Sequence, residues 1–104
     1  EEEINKSDKA VMIDFTAQWC SACKEYEHIT FQDEAVKKEL DRFLLLKVDV
    51  TNNTQEDQIL MDKYDIFGPP AILFYGKDKK LIEKSKIIGY KNPQEFLEIL
   101  KMIF

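Results

Sequence analysis

Apolar and polar positions along the chain fall into short runs that fit strands and longer stretches with helical spacing. Residues 10–16, Ala10-Val11-Met12-Ile13-Asp14-Phe15-Thr16, are apolar almost without a break, which fits a strand covered on both faces. The stretch from Cys20 to about Ile29 reads as a helix, with Ala22, Tyr26 and Ile29 turned towards the core. Asp33 is placed to cap a second helical piece, Glu34 to Leu40. Leu44 to Val50 reads as the second strand. Thr54-Gln55-Glu56-Asp57 resembles a capping box, opening a helix that carries Ile59, Leu60 and Tyr64 and ends at Gly68-Pro69-Pro70. Ala71 to Tyr75 and Leu81 to Ile88 flank a Gly76-Lys77-Asp78-Lys79 turn and read as a hairpin. Asn92, with Pro93 at the first helical position, caps a last helix with Phe96, Leu97 and Leu100 on one face. Tyr64, Phe67, Phe74 and Phe96 read as core. Residues 1–8 are polar and read as an arm or the end of a helix.

The order is therefore β-α-β-α-β-β-α, an α/β pattern. A strand, crossover helix and strand make a parallel pair. The terminal hairpin adds antiparallel strands, giving a mixed central sheet with helices on both faces.

Composition narrows the function more than the fold. At 104 residues the chain has room for one domain, residues 1–104, with one core. Its net charge of −5 argues against a nucleic-acid partner, whose phosphates demand a basic surface. The longest apolar runs, Phe43 to Leu46 and Ala71 to Tyr75, are far too short to cross a bilayer. The chain opens Glu1-Glu2-Glu3-Ile4 with no initiating Met, so a piece of a longer protein is expected.

The chemistry lies in Cys20-Ser21-Ala22-Cys23, which holds both cysteines of the chain. A C-x-x-C where a strand hands over to a helix is a redox signal. Positions i and i+3 share a helix face, so the two sulfurs can close a disulfide within one turn. The helix N-terminus favours a thiolate at the first cysteine. Zinc would need about four ligands. The sole histidine, His28, lies about 140° around the helix from Cys23 and cannot converge with both sulfurs; it reads as an ordinary surface residue. No metal site is expected, and no cofactor beyond the redox-active pair.

Asp14-Phe15-Thr16-Ala17-Gln18-Trp19-Cys20-Ser21-Ala22-Cys23-Lys24 resembles the thioredoxin active-site segment, and Gly68-Pro69-Pro70 its cis-proline loop. A narrower likeness runs through Trp19-Cys20-Ser21-Ala22-Cys23-Lys24-Glu25-Tyr26-Glu27, Thr30-Phe31-Gln32-Asp33 and Val36. These resemble the C-terminal periplasmic domain of the DsbD family, bacterial membrane transporters of reducing equivalents. The resemblance covers roughly residues 10–104 and implies the thioredoxin fold. It implies a periplasmic domain, monomeric when isolated, that takes electrons from a transmembrane partner domain. It would pass them to an N-terminal one through transient mixed disulfides. Ser21 stands where that family often has an apolar residue, and Ala71 replaces the Thr that commonly follows the cis-proline. Both substitutions touch the surface a partner reads.

In the redox reading Cys20, the more exposed sulfur, forms the mixed disulfide and Cys23 resolves it. Asp14 is either a solvated strand-end carboxylate or an acid held by burial with a raised pKa. In the latter case it can shuttle the proton that Cys23 gains or loses, and the family places such an acid here. With Cys20 as zero, Cys23 falls at about 300°, Glu27 at about 340° and Lys24 at about 40° around the helix. Glu27 thus lies a turn below both sulfurs, either tuning them or simply solvated. Trp19 covers the sulfurs and meets the partner, or packs. Trp19, Ser21, Ala22, Pro69 and Pro70 form the expected partner-binding surface. The resemblance makes the bond before Pro70 cis and sets the Pro69 backbone opposite the disulfide, where only its carbonyl can pair, since proline has no N–H. A relay domain, a free-standing reductase and a non-catalytic binding module all share this fold. A pure scaffold needs neither the cysteines nor Asp14.

Overall fold

A computed structural model describes residues 8–103; the expected N-terminal arm lies, but for its last residues, outside them. The elements are β1 (Ala10–Thr16), α1 (Ser21–His28), a 3-10 turn (Thr30–Gln32), α2 (Glu34–Leu40), β2 (Phe43–Asp49) and α3 (Gln55–Lys63). After them come β3 (Ala71–Tyr75), a second 3-10 turn (Glu83–Ser85), β4 (Ile87–Ile88) and α4 (Pro93–Ile103). The four-stranded sheet runs β2-β1-β3-β4. β1 is parallel to β2, antiparallel to β3, and β3 is antiparallel to β4. This is the mixed sheet of the thioredoxin arrangement that the sequence pattern implies.

The continuous apolar run of β1 is explained by burial on both faces. Val11, Ile13 and Phe15 pack with Met61, Ile66 and Leu73 on the α3 side. Ala10 and Met12 pack with Tyr26, Val36, Leu40, Phe96 and Leu100, from α1, α2 and α4. The helices therefore cover both faces. Expected caps are in place: Asp33 accepts from the Ala35 and Val36 amides, and Thr54 and Asp57 form a reciprocal capping box. Asn92 and Glu95 exchange the same pair of bonds at 2.9 and 3.1 Å, so each satisfies amides left free at a helix start.

Several expectations are corrected. The second strand starts one residue earlier and ends one earlier, at Phe43 and Asp49, because Phe43 is the register partner of Ala10. The return arm of the hairpin is not a continuous strand. One bridge joins Tyr75 to Leu81, then Ser85 folds back, its hydroxyl donating to the Ile82 carbonyl at 2.6 Å, and only Ile87 and Ile88 pair with β3. Local side-chain bonding to the backbone here competes with the ladder. Ile29 caps α1 and is 50% exposed, since α1 ends there and the chain turns into the 3-10 segment. Ile59 is likewise exposed, and Met61 supplies the buried contact of α3. Phe67, expected in the core, is fully exposed, whereas Tyr64, Phe74 and Phe96 are buried. α3 stops at Lys63, and Phe67 falls in the loop beyond it.

Candidate active site

The site forms at the sheet end where β1 stops and β3 begins, Phe15 lying opposite Ala71. The chain turns tightly after β1, the Cys20 amide donating to the Ala17 carbonyl at 3.2 Å. Cys20 is extended (φ −92°, ψ 106°) and caps α1, its Sγ accepting the Cys23 N–H at 3.1 Å. Cys20 and Cys23 form a disulfide, Cα atoms 5.3 Å apart. Cys20 is 6% exposed and Cys23 4%. Burial in the disulfide form barely separates them; position does, with Cys20 at the cap and Cys23 inside the helix. Ser21 is exposed and Ala22 half-buried.

Trp19 is 60% exposed, yet its ring is pinned, Nε1 donating to the Thr51 carbonyl at 2.9 Å. The Gln18 amide donates to Thr51 Oγ1 at 2.9 Å. Thr51 in turn gives its N–H and hydroxyl to Asp49, whose carboxyl is thereby lowered. The turn before the cysteines is thus anchored to the end of β2.

The proline loop closes the other side. The Pro69–Pro70 bond is cis, as the resemblance implies. Ile66 before the loop and Ala71 after it share one packed cluster with Cys20 and Cys23, which sets the loop at the disulfide end. Gly89 takes a left-handed φ of 86°, which glycine adopts freely. Its N–H donates to the Pro70 carbonyl at 3.1 Å, and its carbonyl accepts the Tyr26 hydroxyl at 2.7 Å. Loop and helix are so tied through one residue.

The two acids meet through a residue that the sequence reading overlooked. Asp14 pairs in register with Lys47 of β2, and Lys47 Nζ lies 3.4 Å from Glu27 Oε1 of α1. Burial pushes the Asp14 carboxyl from 3.8 up to about 6, the Lys47 ammonium pulls it down, and the Glu27 carboxylate pushes it up. Asp14 is therefore the raised acid rather than the solvated one. Glu27 and Lys47 form a wall shared by two depressions. One, of about 380 Å³, is lined by Asp14 with Met12, Phe31 and Leu40. The other, of about 460 Å³, is polar and is lined by Thr16, Gln18, Lys24 and Asp49. His28 is exposed at the far end of α1. Lys47 had a legible signal, a lone cation within an apolar strand, and Gly89 had one in its isolated position after Ile87-Ile88. Phe67 had none.

A thioredoxin-like family model matches residues 2–77. DsbD of Pectobacterium atrosepticum is 43% identical over 93 residues, 89% of this chain and 16% of that protein. DsbD of Actinobacillus pleuropneumoniae is 39% identical over 95 residues, 91% of this chain and again 16% of the relative. The chain thus spans about a sixth of the length of these curated relatives. Among solved structures, the reduced DsbD C-terminal domain of Neisseria meningitidis is 31% identical with a TM-score of 0.78, covering 97% of this chain and 86% of that one. A thioredoxin from Thermus thermophilus is 28% identical with a TM-score of 0.76, covering 91% and 73%. By its cysteine pair, its proline loop and these likenesses, the chain belongs to the thioredoxin-like family and stands within it beside the C-terminal domains of DsbD.

Proposed function

We propose that this chain is the electron-relaying thiol:disulfide exchange domain of a longer membrane transporter of reducing equivalents, working on the periplasmic side. The observation that carries the reading is the Cys20–Cys23 disulfide at the start of α1, with the Cys23 N–H directed at Cys20 Sγ.

In the dithiol form, the Cys20 thiolate attacks one sulfur of an acceptor disulfide. That S–S bond breaks, its electron pair leaves on the acceptor's other sulfur, and a mixed disulfide forms. Cys23 then loses its proton and attacks Cys20 Sγ. The mixed S–S bond breaks, the acceptor departs as a dithiol, and the Cys20–Cys23 disulfide is restored. Two electrons and two protons pass to the acceptor. Asp14, held near pKa 6, is matched to take up and return the Cys23 proton at neutral pH. A donor dithiol in the transmembrane domain resets the pair by the reverse sequence, and an N-terminal domain of the same transporter is the acceptor.

Equilibration with glutathione buffers tests the direction. The potential is expected on the reducing side of about −180 mV, the value of a disulfide isomerase. A value above about −150 mV would make the domain an oxidant and sink the relay reading.

A further inference from the structure

Charge is divided unevenly along the chain. Residues 77–91 hold six lysines against Asp78 and Glu83, a net +4, which leaves −9 for the remainder of a chain of net −5. This basic stretch supplies the second 3-10 turn and β4, the edge strand opposite β2. Where they face α4 there is a depression of about 520 Å³ that shares no residue with the cysteine cluster. Ile82 and Ile99 give it an apolar lining, Met102 stands at it 85% exposed, and Lys84 and Lys91 supply its charge. Lys86 lines it too, but its ammonium is turned to the Tyr64 and Asp65 carbonyls, 3.3 Å from each. Among the described residues, none that lines the depression is acidic. Glu83, Glu95 and Glu98 are exposed near it in sequence but stand outside the lining.

An exposed apolar tip beside ammonium groups on long stems matches the boundary between lipid headgroups and acyl chains. A nucleic acid would meet the lysines but offer nothing to Met102. The acidic remainder opposes the contact only weakly. The molecule extends 35 × 30 × 20 Å, so most of its carboxylates stand beyond a screening length of about 8 Å from a surface laid on this edge.

We propose that the β4–α4 face is a docking surface for an anionic phospholipid bilayer. Lys84 and Lys91 pair with lipid phosphates while Met102 enters the acyl boundary. The inference rests on the reading of the chain as part of a membrane transporter, where a tether keeps the domain near a bilayer and a weak contact suffices. Docking here orients the domain without using the residues that carry the exchange.

Co-sedimentation of the 104-residue chain with vesicles of phosphatidylglycerol or of phosphatidylcholine tests it. The wild type should bind the first and not the second, although chain and phosphatidylglycerol are both net negative, and added salt should release it. Lys84→Gln and Lys91→Gln should each weaken binding about fivefold, the contribution of one lysine beside an anionic leaflet. Met102→Ser should weaken it with no change in salt dependence. Lys37→Gln removes the same charge beside β2, at the opposite edge of the sheet, and should leave binding unchanged. No binding by the wild type, equal binding to both vesicles, or an equal loss from Lys37→Gln overturns the proposal. Failure of the wild type to reduce glutathione disulfide without vesicles would instead overturn the exchange reading beneath it.

Discussion

Asp14 and Lys47 are register partners in the parallel ladder of β1 and β2, and so share one face of the sheet. β1 is central and β2 is an edge strand, which is why the carboxyl is mostly buried while the ammonium reaches solvent along its own stem. Lys47 also meets Glu27, so one cation stands between two carboxylates from different elements. Desolvation still wins at Asp14, whose pKa stays above the ordinary value. The helix that carries Cys23 is thereby coupled to the titration of a strand residue.

A raised carboxyl costs stability once it ionises. Asp14 binds its proton up to about pH 6 in the folded chain, against an ordinary value of 3.8. Between these values the folded state holds more protons than the unfolded one, so stability falls as pH rises through that window. Asp14→Asn in the disulfide form should therefore be more stable than wild type at pH 8, by on the order of 1–3 kcal/mol. The gain should fade at a pH of about 4 and below. Denaturant melts at the two pH values measure it, and an equal difference at both would mean that packing, not charge, is responsible.

Removal of Lys47 should move Asp14 further up. Lys47→Met deletes the ammonium that lowers this carboxyl, and Glu27→Gln deletes the carboxylate that raises it. Carboxyl-carbon NMR titration should show Asp14 above about 6 in the first variant and below it in the second. The Glu27–Lys47 pair itself, half-exposed on both sides, is worth little to stability, so neither variant should lose more than about 1 kcal/mol.

What was legible in the sequence follows from what each signal depends on. Strands β1 and β3 could be read because burial on both faces leaves an unbroken apolar run, and the helix starts because caps are local chemistry at Asp33, Thr54 and Asn92. The disulfide and the raised Asp14 were readable from a motif and from one acid in an apolar strand. The hairpin's return arm was not, since Ser85 and its neighbours bend by local bonds that mimic no strand or helix period. Phe67 misled for a different reason. Hydrophobicity predicts burial only when the residue lies on a packed element, and its loop starts after α3 has ended.

Tyr26 gives a stability test away from the chemistry. It is buried at 1% exposure, donates to the Gly89 carbonyl at 2.7 Å and accepts from the Lys91 amide at 3.0 Å. Tyr26→Phe keeps the ring stacked against Phe31 and near Tyr90 but leaves both backbone groups without that partner. A loss of about 1–3 kcal/mol is expected. Because Gly89 also holds Pro70, amide exchange should quicken at Gly89 and Lys91 before it does in β1. Uniform quickening across the sheet would show that the tie is not local.

The reacting thiol is the sharpest test of the site. Two influences favour a thiolate at Cys20 in the reduced chain: the Cys23 N–H directed at its Sγ and the positive end of α1. Three oppose it. Cys20 is buried among apolar side chains, Asp14 is negatively charged above about pH 6, and Glu27 lies on the same helix. Lys47 offsets part of the acids' field, but its side chain is 60% exposed and so screened by water. Burial and the carboxylates together should hold Cys20 at or above the reference of about 8.5. A reductant with little thiolate at neutral pH reacts slowly with arbitrary disulfides, and fast only where a docked partner changes the local field, which suits the proposed relay. Thiolate absorbance against pH measures the value directly, and Asp14→Asn with Glu27→Gln should lower it. A wild-type pKa below about 7, or no fall in the double variant, would show that the helix terminus governs the thiol instead.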